Sequence, residues 1–153
     1  MDTPLTKWYC DVCDQPIEGV ENGYVIWKTA EDLKAHSFKI IHKTMCDLND
    51  DHHASAALED FLGEEGFAYL LAKLSIGPIK QRIGEGSCCG VGDLDEFVDF
   101  MRRVQTRFYE EARRLFANHD LLADHSDDDE VSPYVPDHLQ TIISKYGNGG
   151  SIR

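Results

Sequence analysis

The chain has 153 residues, 42% of them hydrophobic, and a formal net charge of −13 from 15 basic and 28 acidic side chains. That is enough apolar material for one ordinary domain with a core, which excludes global disorder. No apolar run reaches membrane-span length and the acidic surface repels phosphates, so neither a membrane nor direct nucleic-acid binding is expected.

The opening Met1-Asp2-Thr3-Pro4 lacks the basic and apolar regions of a signal peptide, so the expected setting is the reducing cytoplasm. Five cysteines, an odd count, then point to a metal site or free thiols and away from a disulfide framework.

Residues 5–46 read as a small β-rich module. Leu5 to Tyr9 leads into Cys10, and Ile17 to Val20 has the length of a short strand. Glu21-Asn22-Gly23 is a turn signal, because Asn-Gly readily takes up positive φ angles. Tyr24 to Trp27 and Ser37 to His42 are β-branched and aromatic runs of strand length. A hairpin or three-stranded meander results, too small to be stable alone.

From residue 54 the pattern turns helical. Ala54, Ala57, Leu58 and Phe61 fit a short amphipathic helix, and Phe67, Leu70, Leu71 and Leu74 place a stripe on a second one over Glu64 to Ser75, stopped by Gly77-Pro78. Ile79 to Gly92, with four glycines around Cys88-Cys89, reads as a loop with a short helical start. The clearest element runs from Leu94 to Asn118, with Asp93 and Glu96 in capping-box spacing. Its apolar positions are Leu94, Phe97, Met101, Val104, Phe108, Ala112, Leu115 and Phe116. Arg102, Arg103, Arg107, Arg113 and Arg114 are expected on a wet face, paired with neighbouring carboxylates. Asp124 to Glu130 reads as a solvated acidic loop. A last helix covers Pro136 to Tyr146, with Leu139, Ile142 and Ile143 docking inward and Gly147 at its end. The expected organisation is α+β: a β-rich metal module over 1–53 packed, as one compact unit, on a mainly helical body over 54–146 built on one long amphipathic helix, and a frayed tail over 147–153.

The chemistry lies in the first part. Cys10-Asp11-Val12-Cys13 is a C-x2-C pair, whose spacing lets one tight turn aim two thiolates at one ion. His42 and Cys46 form a second pair at the end of a predicted strand, which folds back over the first. A Cys3His set is a closed tetrahedral zinc site with no position left for water, and the metal makes up for a module too small to hold itself together. One structural zinc on Cys10, Cys13, His42 and Cys46 is therefore expected. The competing readings are a Cys46 buried as an apolar residue and a redox Cys10/Cys13 pair, though Gln15-Pro16 does not suit the helix that follows a thioredoxin-type motif. His52 or His53 could take the place of His42.

The remaining features carry less chemistry. Asp47, Asp50, Asp51, His52 and His53 lack the H-E-x-x-H spacing of a hydrolytic zinc site and suit the N-terminus of the next helix. The glycine-rich segment around Cys88-Cys89 has no P-loop lysine and reads as a loop open to partner binding. Neither the H-x-E nor the P-C-x-x-C of zinc deaminases is present, so no catalytic residue is assigned.

Trp8 to Cys13, Gly23 to Trp27, Phe38 to His42 with Cys46, and then Leu58 to Gly63 together resemble a set of uncharacterised bacterial and mobile-element proteins. In those, a zinc-ribbon-like start is followed by helices. The resemblance implies a zinc-ribbon or treble-clef-like hairpin module, the same four ligands, and a bacterial or phage context. The expected function is a non-catalytic, zinc-stabilised module that binds another protein. An acidic antagonist that mimics nucleic acid is second, and a metal-dependent enzyme third.

Overall fold

The computed structural model describes residues 5–46, 53–84 and 90–147. The fold is α+β, and the chain divides into two compact units, Thr6–Gln105 and Thr106–Arg153, the latter with Met1–Leu5.

In the first unit, β1 (Lys7–Tyr9) pairs antiparallel with β2 (Pro16–Glu18). Trp8 faces Ile17 with both side chains fully buried, while Lys7 and Glu18 across from each other are exposed. The alternation of a half-buried pair thus survives even in strands this short. A second sheet has the order β4-β3-β5. Its centre is β3 (Gly23–Thr29), flanked by β4 (Ala35–His42) and β5 (His53–Ala57), both antiparallel to it. Gly23 pairs with His42 at one end of the sheet and Lys28 with His53 at the other.

The outer edge of β4, which would otherwise offer a row of unpaired backbone groups, is covered at three points. Ala35 exchanges hydrogen bonds with Gly90 and Gly92, the Phe38 N–H donates to the Glu96 carboxylate (2.9 Å), and Ile40 is met by Asp11. Glu96 belongs to α3 (Leu94–Gln105). Half of the expected capping box is present, the Glu96 N–H donating to Asp93 Oδ1 at 3.1 Å. The Glu96 side chain itself reaches across to the sheet. Behind the sheet, Phe38 packs on Trp27, Phe97 and Phe100, and Phe61 packs edge-on against Phe100.

Three expectations are corrected. Residues 54–61 are a strand and a 3-10 turn (Leu58–Phe61), not a helix. Ala54 and Ala57 matched the helical period without excluding a strand, and pairing with β3 decides the matter. Leu58 and Phe61 are nonetheless fully buried. In α1 (Gly63–Leu74) the buried face is Gly66 and Leu70, with Phe67 and Leu71 exposed. Gly66 is there because a Cβ would collide with the backbone of Phe61. Gly77-Pro78 opens α2 (Gly77–Ile83) two residues after α1 ends, with Pro78 in the first turn of α2. Third, the long helix breaks after Gln105: Phe108 adopts φ +68°, and α4 (Tyr109–Arg113) starts afresh. No glycine or proline marks the break, and the apolar period runs straight through it.

The second unit holds α4, α5 (His119–Asp124) and α6 (Pro136–Tyr146) around Tyr109, Ala112, Leu121, Leu139 and Ile142. The expected last helix is α6, with the same bounds. Asp124 to Glu130 is largely exposed, and Asp124 accepts from Lys145 (2.7 Å) and from the Tyr146 hydroxyl. Among the described residues, no helix is long and apolar enough to cross a membrane. Cys88, Cys89, His52 and the tail beyond Gly147 lie outside the described residues.

Candidate metal centre

The first knuckle is the turn between β1 and β2. Cys10 closes it, its N–H donating to the Gln15 carbonyl (2.9 Å) and its carbonyl accepting from Asp14 (2.9 Å). Asp14 supplies the reversal with φ +61°, a conformation that aspartate tolerates better than most residues. The Val12 N–H points at Cys10 Sγ at 3.4 Å, the support that a short turn gives to a thiolate.

The second knuckle follows β4. Thr44 takes φ +76°, the Met45 N–H donates to the Lys43 carbonyl, and the Cys46 N–H returns to the His42 carbonyl at 3.3 Å. The Lys43 N–H is held by the Asn22 carbonyl (2.8 Å). This ties the turn to the chain entering β3.

These two turns bring Cys10, Cys13, His42 and Cys46 together, with one ligand atom of each lying within 4.8 Å of the others. Cys13 Sγ is 3.3 Å and Cys46 Sγ 3.6 Å from His42 Nδ1. The four can hold one metal ion. His42 Nε2 lies 3.0 Å from the Pro16 carbonyl. A carbonyl only accepts, so Nε2 carries a proton, and Nδ1 is the ring nitrogen that faces the sulfurs. An outer hydrogen bond of this kind orients a metal-bound histidine. His53 does not compete: it pairs with Lys28 at the far end of β3, five residues from Gly23 and so about 17 Å along the strand.

The thiols are not equivalent. Burial would push Cys10 up, but hydrogen bonds from the backbone of Cys13, Val12 and His42 and from the His42 ring outweigh it and hold the thiol at about 6. Cys46 is pushed up to about 11 by burial, by hydrogen bonding to Cys10 and Cys13, and by their charge. Three sulfurs this close cannot all ionise unless a cation offsets them, which is the electrostatic demand that a metal meets. Cys10 is buried, Cys46 half-buried and Cys13 exposed, so the centre sits at the surface of its unit.

Two supporting residues were not singled out by spacing. Asp11, between the first two ligands, accepts from the Ile40 N–H and from Arg103. Arg103 is 3% exposed, which corrects its placement on a wet face. The signal was available: one turn beyond Phe100 and next to Val104, residue 103 borders the buried arc of α3.

Comparison with family models, with curated proteins and with solved structures gives no match.

Proposed function

We propose that the chain is a zinc-stabilised, non-catalytic module of zinc-ribbon type that acts in the cytoplasm by binding another protein. The observation that carries this reading is the closed ligand set, three sulfurs and one imidazole nitrogen within 4.8 Å of one another. Soft thiolates with one imidazole suit zinc, and four protein ligands leave it no open position for a reacting water. Such thiolates also require a reducing compartment. The resemblance noted above supports a bacterial or phage origin.

The protein-binding part draws support from the two knuckles. Each carries an exposed apolar side chain beside a ligand, Val12 (44% exposed) next to Cys13 and Met45 (86%) next to Cys46. A metal-fixed turn presents such residues at little further ordering cost, which favours their use as contacts. The −13 charge favours a protein partner over nucleic acid.

The test has two parts. Protein purified without chelator should contain one zinc per chain, with Cys10, Cys13 and Cys46 alkylated only after chelation. Protein without metal, its thiols freely alkylated, would refute the zinc reading. Affinity capture from host extract should then recover a partner with wild type and lose it with the zinc-loaded double variant Val12→Asp, Met45→Asp. A partner kept by that variant would remove the knuckles from the contact.

A further inference from the structure

The geometry points to Arg103, on α3, as a positioning residue that sets the zinc affinity of a centre whose nearest ligand is 57 positions away in sequence. This inference rests on the zinc reading above and concerns how the site is held. Its basis is one chain of hydrogen bonds. Arg103 Nη1 donates to Asp11 Oδ2 at 2.7 Å and Nη2 donates to the Tyr9 carbonyl at 3.1 Å, while its own carbonyl accepts the Trp8 indole N–H at 3.0 Å. One residue thus grips three of the four positions from Trp8 to Asp11, along the strand and turn that present Cys10, missing only Cys10 itself.

Asp11 passes this grip on to the other half of the site. Its N–H donates to the Ile40 carbonyl (2.8 Å) and its Oδ2 accepts the Ile40 N–H (2.8 Å), so a single residue serves Ile40 as a neighbouring strand would. Ile40 lies two residues before His42 on β4, and its side chain is fully buried. The first knuckle is therefore registered against the strand that delivers the histidine ligand. The angle of the Asp11 carboxylate, and with it that register, is fixed by the guanidinium.

Charge argues the same way. A carboxylate between two metal-binding thiolates adds negative charge where three sulfurs already crowd together. The buried guanidinium offsets it, and buried charges persist in folds when paired in this manner. The fork matters as well as the charge, because two acceptors, a carboxylate and a carbonyl, are met by two different nitrogens. A lysine ammonium would supply the charge without the fork.

The experiment is a competition between the purified chain and a chromophoric chelator for zinc, at fixed pH and salt. Arg103→Met and Asp11→Asn should each weaken zinc binding about 10- to 100-fold, the usual effect of losing an outer partner of a metal ligand. Arg103→Lys should fall between them and wild type. Leu70→Ala serves as control, since it destabilises the same unit from a fully buried position on α1 that makes none of these bonds. It should bind zinc within about twofold of wild type, well inside the 10-fold loss expected for the clasp. Should Arg103→Met fail to fold, Asp11→Asn and Arg103→Lys decide the outcome. An unchanged affinity in the clasp variants, or an equal loss in Leu70→Ala, would overturn the inference and leave the zinc reading standing. Wild type that takes up no zinc would overturn both, and is told apart by that one measurement.

Discussion

The knuckle pair β1–β2 and the three-stranded sheet lie in one compact unit and are held by different physics. The sheet has an aromatic cluster behind it, where Trp27, Phe38, Phe61, Phe97 and Phe100 interlock and Glu96 satisfies the edge. Burial of this kind scales with apolar area. The knuckle pair consists of two three-residue strands whose fully buried side chains are Trp8 and Ile17. It makes up the deficit with hydrogen bonds to α3 and with four ligands gathered at one point. A protein can thus place a short, exposed, precisely shaped turn at its surface with little core beneath it, provided a metal supplies the cross-link.

The largest effect expected is on the knuckle. Cys13→Ser should abolish zinc retention, removing a contribution on the order of 10 kcal/mol for a structural site. Hydrogen exchange should then show the amides of Trp8 and Ile17 losing protection while Val25 and Ile41 keep theirs. Equal loss in both sheets would erase the distinction drawn between them.

The sheet should respond the opposite way. Phe61→Ala, at a fully buried position, should cost about 3–5 kcal/mol in chemical denaturation. Because β4 carries His42, it should weaken zinc retention only where the sheet itself has unfolded. A smaller change tests the edge. Glu96→Ala leaves the Phe38 N–H without its acceptor and should cost about 1–2 kcal/mol, with Glu96→Gln recovering most of that because an oxygen acceptor remains.

A separate effect is one of pH on chelated protein, read in the amide protection that Trp8 and Ile17 keep without the metal. The folded Cys10 thiol sits at about 6 against an ordinary 9.0, so the fold favours its thiolate. Its contribution is complete above pH 9 and is lost as pH falls through about 6. Cys46, raised to about 11, has the opposite sign: its contribution is complete below pH 9 and is lost only as pH rises through about 11. Between pH 6 and 9 stability should therefore rise with pH, and Cys10→Ser should flatten that slope. Zinc binding near neutral pH should release at least the proton held by Cys46, measurable by calorimetry in buffers of different ionisation enthalpy.

Much of this region was legible in the sequence, for reasons that differ by residue. C-x2-C and H-x3-C spacing encodes a local turn at each pair, so the four residues that come together could be named from the sequence. β3 and β4 were visible as β-branched and aromatic runs, and α6 by Pro136 at its start and Gly147 after its end. β5 was not, because alanines at 54, 56 and 57 carry no strong preference and their pairing with β3 is a tertiary choice. The break at Phe108 was hidden by a period that continues across it. Arg103 was legible only in part: its place beside Phe100 and Val104 points inward, but an arginine among Arg102, Arg107, Asp99 and Glu110 looks solvated until the partner across 92 positions, Asp11, is in place.

The central claim is that Cys10, Cys13, His42 and Cys46 close on one zinc ion. X-ray absorption at the zinc edge of the purified chain tests it most directly. Three sulfurs at about 2.3 Å and one nitrogen at about 2.0 Å are the predicted sphere. A sphere with fewer than three sulfurs, or with a water oxygen completing it, would contradict a closed structural site.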